Sequence, residues 1–262
     1  MSRLSFIDTH AHLDDAAFVE DYLDVLERSC QRGVKRIVLP GVTAQGWERL
    51  WQLAEQQKML YAAPGLHPVY LAQHRPEHLS QLKEFVERQR DHPKLCALGE
   101  IGLDYWIPHA DRPAQQQLLE AQLKIASEIQ LPVLLHVRRA HAPMIATLKR
   151  YRLQRGGIVH AFSGSLEEAK EYQKLGFLLG LGGAGTWPQA QRMQRVLKQL
   201  PLEALVLETD APDLAPVSHP NQRNSPEYLP DIAQNLAKQR GISLANLAEA
   251  AYQNSCRIFG WH

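Results

Sequence analysis

Metal-ligating side chains recur in this sequence where β-rich runs stop, at six of eight such runs. Of its twelve histidines, His10 and His12 close the first such run and His67 follows the third, while His136 and His160 end the fifth and sixth. The acids Glu100 and Asp210 follow the fourth and eighth runs. A single histidine at a strand end is ordinarily a hydrogen-bonded structural residue, so the convergence carries the argument and no one residue does. The His10-x-His12 spacing places both imidazoles on one face of a strand, where they can grip a single ion. With His136, His160 and the two carboxylates, the donors exceed what one tetrahedral ion uses and suit two ions sharing a carboxylate. Mixed imidazole and carboxylate ligation favours divalent Zn, Mn, Co, Ni or Fe over Ca or Mg, with Mg still accommodated. The remaining histidines, His74, His78, His92, His109, His141, His219 and His262, lie in polar helices or loops and read as solvated or packing residues.

Distant residues meet only if the fold brings strand ends together. Eight β-rich runs are visible: 4–7, 36–40, 60–63, 95–98, 132–137, 157–160, 177–181 and 205–207. Several are apolar throughout rather than alternating, as in Pro132-Val-Leu-Leu-His-Val, which is the pattern of parallel strands buried on both faces. Segments with helical apolar spacing separate them, such as Leu118-Leu119-Gln122-Leu123-Ala126. Eight βα units in a 262-residue chain predict an α/β fold, a single (β/α)8 TIM barrel over residues 1–262, with an open doubly wound sheet as the alternative. In a barrel all strand C-termini share one rim, so His10 and Asp210 can converge. After the eighth strand, residues 211–226 carry four prolines and no periodicity, which predicts a long loop. Two helices are expected beyond it, 228–239 and 244–258, the second capped by Ser243 after the glycine stop at Gly241.

Composition narrows the function classes. With 29 Lys+Arg against 28 Asp+Glu the net charge is +1, so no global positive field marks a nucleic-acid coat or a membrane-surface binder. A polyanionic substrate must be held locally. Cys30, Cys96 and Cys256 are odd in number and far apart, which argues against a disulfide framework or a thiolate site and for a reducing, cytoplasmic setting. The N-terminal run lacks a signal-peptide core and no stretch reaches membrane-span length, so neither export nor a membrane partner is expected, and no obligate protein partner is inferred.

Substrate-facing groups are sought just beyond the strands. Arg138, Arg139 and the Arg223-Asn224 pair are placed to meet phosphate, and His67 to offer it a proton or hydrogen bond; a solvated face is the plainer reading for Arg139, as is metal-site support for His67. Trp106 and Trp187 fall in rim loops. Lys149, Arg150, Arg152 and Arg155 cluster at a helix end, where cations complement the dipole without any ligand. The run Gly180-Leu-Gly-Gly-Ala-Gly185 lacks the Lys-Ser/Thr ending of a phosphate loop, so close backbone approach to the site is the better account.

Taken in order, Phe6-Ile-Asp-Thr-His-Ala-His-Leu-Asp14, Gly65-Leu-His-Pro68, Gly99-Glu-Ile-Gly-Leu-Asp104, Leu134-Leu-His-Val-Arg138, Val159-His-Ala-Phe-Ser-Gly-Ser165 and Leu207-Glu-Thr-Asp-Ala-Pro212 resemble the TatD family of metal-dependent deoxyribonucleases. The resemblance spans the chain. It implies an amidohydrolase-like barrel with two divalent ions: His10, His12 and Asp210 on one, His136 and His160 on the other, and Glu100 bridging. The chain departs from the common family pattern at Asp213, where an aromatic is usual, and at Arg139; both positions lie where substrate would rest. The expected activity is hydrolysis of phosphodiester bonds in DNA, from a 3′ end as one option, by a water that the two ions activate and Asp210 orients and deprotonates. Alternatives are hydrolysis of an ester or amide such as D-aminoacyl-tRNA, and a catalytically weak metal-binding protein on the same scaffold. Glu100 and Asp210 are the expected catalytic carboxylates.

Overall fold

The computed structural model describes residues 4–261; His262 and the first three residues of the N-terminal run lie outside them. In chain order the elements are β1 (Phe6–Asp8), α1 (Tyr22–Gln31), β2 (Val34–Pro40), α2 (Trp47–Gln56), β3 (Leu60–Ala63), α3 (Pro76–Arg88), β4 (Leu98–Asp104) and α4 (Arg112–Ile129). There follow β5 (Val133–Arg138), α5 (His141–Tyr151), β6 (Gly157–Val159), α6 (Leu166–Lys174), β7 (Phe177–Leu181), α7 (Gln191–Gln199), β8 (Leu205–Leu207), α8 (Leu229–Arg240) and α9 (Leu244–Phe259). Neighbouring strands pair in parallel within β1-β2-β3 and within β4 to β8. Two seams join these arcs. Ala62 bridges Leu95 at one, and at the other Ala11 bridges Ala211, with Asp210 N–H donating to the His10 carbonyl. The result is the (β/α)8 barrel.

Alternation along the strands explains where the chemistry lands. Val38, Ala63, Leu134, Ile158, Leu178 and Val206 form an interior cluster, while Ile37, Leu39, Val133, Leu135, Val159, Leu179, Leu205 and Leu207 face the helices in a larger one. Side chains two apart share a face, so Leu134 leads to His136, Ile158 to His160, and Val206 to Glu208, one layer nearer the rim. The same strands therefore present an apolar plug below and ligands above.

Several expected strand boundaries shift, β2 starting at Val34 and β5 spanning Val133–Arg138 among them, and three of the shifts bear on the ligands. β4 runs to Asp104 and not from Leu95 to Leu98, so Glu100 lies inside a strand rather than after it. β1 spans 6–8 rather than 4–7, and β6 stops at Val159, leaving His160 just beyond. The C-terminal helices fall within one residue of expectation; Ser243 accepts from Asn246 N–H as N-cap, and Gly241 takes the left-handed stop at φ 77°.

Candidate metal centre

Six of the expected ligands come together at the C-terminal rim. Glu100 is the hub, and its two oxygens face opposite groups. Oε2 lies 3.1 Å from His10 Nε2 and 3.7 Å from His12 Nε2, whereas Oε1 lies 2.9 Å from His136 Nδ1 and 3.9 Å from His160 Nε2. Asp210 Oδ1 sits 3.7 Å from His10, 3.9 Å from His12 and 3.5 Å from His160. Three overlapping sets have ligand atoms close enough for one ion each: His10–His160–Asp210, His10–His12–Glu100 and His67–Glu100–His136. A buried carboxylate ringed by imidazole nitrogens suits divalent cations, and Glu100 belongs to two of the three sets.

Burial and mutual charge set the protonation of the metal-free centre. Burial opposes ionisation of Glu100, yet His67, His10 and His160 outweigh it and hold the carboxyl well below its usual range. Burial, reinforced by His160, holds His10 neutral well below the ordinary imidazole value. For His160 burial also disfavours charge, but Asp210, Glu208 and Glu100 override it and lift the imidazole to about 10. Burial raises Asp210 to about 6.

Three acids outside the expected ligand set orient the ligands. Asp104 Oδ2 accepts from His136 Nε2 at 2.9 Å, which leaves Nδ1 directed at Glu100. Glu208 Oε1 lies 3.1 Å from His160 Nδ1, in ion-pair contact without hydrogen-bond alignment, and accepts Ala161 N–H at 2.6 Å. Asp8 accepts Thr209 N–H at 2.9 Å and Thr209 Oγ1–H at 2.6 Å, tying the end of β1 to the end of β8. Burial lifts the Asp8 carboxyl to about 7. Each stands in a motif noted above, and Glu208 and Asp8 keep the strand parity of Asp210 and His10. That parity is the signal that could have found them. Gly180 explains part of the glycine run, because a Cβ there would sit 2.1 Å from Glu208 Oε2, while one at Gly183 would meet the Leu214 carbonyl at 2.1 Å. Glu208→Gln keeps the shape but removes the charge beside His160. Metal affinity is expected to fall about 10–100-fold, read by titration against a chromogenic chelator.

The expected substrate contacts divide. Arg138 is exposed and lines the cavity beside His136. Arg223 does not reach it: both terminal guanidinium nitrogens donate to Asp21, at 2.8 and 2.7 Å, and the group lies over the Phe18 ring. A bidentate carboxylate partner nearby in space, invisible in sequence, claims the fork that phosphate was expected to use. Its neighbour Asn224 is buried, donating to the Thr209 and Asp213 carbonyls and so bracing the loop after β8. His67 is buried among the ligands; its Nδ1 accepts Val69 N–H, leaving Nε2–H 3.2 Å from Glu100 Oε1. It faces Glu100 and also lines the cavity beside the ligands. Trp187 is a half-buried anchor donating to the Ala215 carbonyl. Lys149 pairs with Glu171 and Arg150 with Glu120, as a structural cluster should.

The ligands open into a two-lobed cavity. One lobe, about 270 Å³, is walled by Asp14, Asp15, Val69, Tyr70 and Pro212; the other, about 480 Å³, by Arg138, Ser163, Ala184, Met193 and Leu214. His136, His160, Asp210 and Asp213 border both. A substrate crossing from lobe to lobe passes over the carboxylates and imidazoles.

Known proteins share this arrangement of sequence. The pattern of the TatD related DNase family matches residues 7–260. The uncharacterized metal-dependent hydrolase YjjV of Escherichia coli K12 is 41% identical over 254 residues, covering 97% of each chain. The crystal structure of that protein superposes with a TM-score of 0.94 over 98% of both chains. The 3′-5′ ssDNA/RNA exonuclease TatD of Citrobacter rodentium is 32% identical over 264 residues, 97% of each chain. With a match that runs almost end to end and a barrel that superposes on a TatD homologue, the chain belongs to the TatD related DNase family of metal-dependent hydrolases.

Proposed function

We propose that this protein is a two-metal phosphodiesterase acting on DNA, with single strands as its substrate. The observation that carries the reading is Glu100, whose oxygens face two separate imidazole groups, as a carboxylate shared by two cations must. His10, His12 and Asp210 would hold one cation, His136 and His160 the other, and Glu100 both. Bound there, divalent ions supply Lewis-acid polarisation of a phosphoryl oxygen and lower the pKa of water.

The remaining chemistry belongs to the chain. Asp210 borders both lobes, and neither of its carboxylate oxygens has a hydrogen-bond donor among the described residues, so it is free to orient the attacking water and take its proton. Asp104 orients the His136 ring through a hydrogen bond, and Glu208 places a carboxylate beside His160. Among the described residues Arg138 offers the guanidinium that lines the cavity, for a flanking phosphate. A protein of net charge +1 with one such group lining the cavity suits a short or terminal single strand better than a long duplex. The relatives named as 3′-5′ exonucleases on single-stranded DNA and RNA support that choice. Three free cysteines fit a reducing compartment, and no described helix is long and apolar enough to cross a membrane.

The test is one parallel assay. Protein reconstituted separately with Mn, Zn, Co and Mg is offered single-stranded DNA, RNA, a simple phosphodiester and an aminoacyl-tRNA. DNA cleavage is expected with at least one metal, is abolished by chelator, and weakens as salt rises. Hydrolysis of the aminoacyl ester alone would transfer the site to carbonyl chemistry.

A further inference from the structure

Trp106 is an exposed aromatic at the rim, with 48% of its surface open to solvent. It is not loose. Its backbone N–H donates to Asp104 Oδ1 at 2.9 Å, and the other oxygen of that carboxylate accepts from His136 Nε2 at 2.9 Å. One side chain therefore sets both a candidate metal ligand and the aromatic. Across the β4–β5 pairing, Tyr105 N–H donates to the Arg138 carbonyl, which brings Arg138 and Arg139 beside the indole. The Arg139 guanidinium carbon lies 3.7 Å from the ring centroid and that of Arg138 5.0 Å from it. Neither arginine forms an ion pair among the described residues, whereas Arg28, Arg32, Arg150 and Arg223 are all engaged by carboxylates. Arg138 lines the larger lobe, and the half-exposed indole and Arg139 lie against it just outside, so that two cations without ion-pair partners among the described residues flank one exposed aromatic face. The chemistry it fits is an unstacked nucleobase flanked by phosphate: a π-face for the base and charge for the backbone.

We propose that Trp106, supported by Arg139, is the stacking platform for an unpaired base next to the scissile linkage, with Arg138 on the adjoining phosphate, so that this rim selects single-stranded nucleic acid. The inference rests on the phosphodiesterase reading for its reaction and on the rim alone for its binding. A duplex keeps its bases stacked on one another and cannot offer a face to Trp106 without unstacking, which makes strandedness the discriminating property.

The test is binding to the metal-loaded protein. The probes are a short fluorescein-labelled oligothymidylate protected by phosphorothioate linkages, the same backbone made abasic, and a matching duplex. The native protein is expected to hold the oligothymidylate at least about fivefold more tightly than the abasic strand or the duplex. Trp106→Ala should weaken the oligothymidylate about tenfold and leave the abasic strand unchanged, and Trp106→Phe should restore most of the loss. Arg139→Ala should fall between. Metal content equal to wild type shows that Asp104 and His136 have stayed in place. Equal affinity of the native protein for all three probes overturns the platform, as does a Trp106→Ala protein that weakens the base-bearing and abasic strands alike. Base-dependent binding without hydrolysis of DNA or of a simple phosphodiester would remove the phosphodiesterase reading and leave the platform standing.

Discussion

Asp210→Asn is expected to lower kcat on single-stranded DNA by about a hundredfold or more while leaving the metal-free protein as stable as before, or slightly more so. General-base action alone contributes about 10²–10⁴, and a lost ligand adds to it. The stability half follows from the site. No hydrogen bond ends on the Asp210 carboxylate among the described residues, so an amide strands no donor there, and the change relieves repulsion with Glu100 and Glu208. Burial has already pushed this carboxyl up to about 6. Because that value lies above the carboxylate's unfolded one, its ionisation works against folding, and the benefit of removing it is present above about pH 6 and fades as pH falls below. His160 keeps Glu208 and Glu100 as partners. Single-turnover rates and melting curves with and without metal check both halves. A variant near the wild-type rate, or a metal-free form melting many degrees lower, would make Asp210 structural.

Glu100→Gln is expected to behave in the opposite way on stability and more severely on function. Metal content should fall below one ion per chain and activity by about a thousandfold or more, since a shared carboxylate serves both cation positions. In the metal-free protein Glu100 is the charge against which His10, His67, His136 and His160 are arranged. Removing one member of a buried charge network costs about 3–5 kcal/mol, which for a chain of this size lowers Tm by roughly 6–20 °C. The sign with pH is also reversed relative to Asp210. The Glu100 carboxyl is held well below its ordinary range, so its stabilisation is present above that range and is lost in acid, where wild type and variant should converge. Elemental analysis and melting curves across pH read this directly. Full metal occupancy in Glu100→Gln would show that the ions do not share this carboxylate.

Much of this protein was legible before any fold was known, because its information is carried by residue type and by period. Apolar runs of strand length alternating with helical spacing specify parallel strands and covering helices, and parallel strands place all their C-termini on one side. His10, His12, His136, His160 and Asp210 announced themselves by lying at those ends. The exact ends were less visible, since β4 continues through Glu100 to Asp104 where the sequence suggested a stop at Leu98. That strand is glycine-broken and carries two acids, so local propensity underrates it, and pairing with β5 on a barrel wall overrides propensity.

Pairing between distant side chains was decided by the tertiary structure alone. Sequence offered Arg223 as a phosphate ligand on its charge, but Asp21, some two hundred residues away, occupies its fork. It offered His67 either to the substrate or to the metal site, and only the fold shows its Nδ1 at Val69 N–H and its Nε2 at Glu100 on the cavity wall. The orienting acids Asp8, Asp104 and Glu208 had no role in the sequence until Thr209, His136 and His160 were seen against them. The division has one physical cause. Strand period and residue chemistry are local properties written in the order of the chain, whereas a hydrogen bond or an ion pair depends on which two side chains meet across a gap of ångströms, and only the closed barrel brings them there.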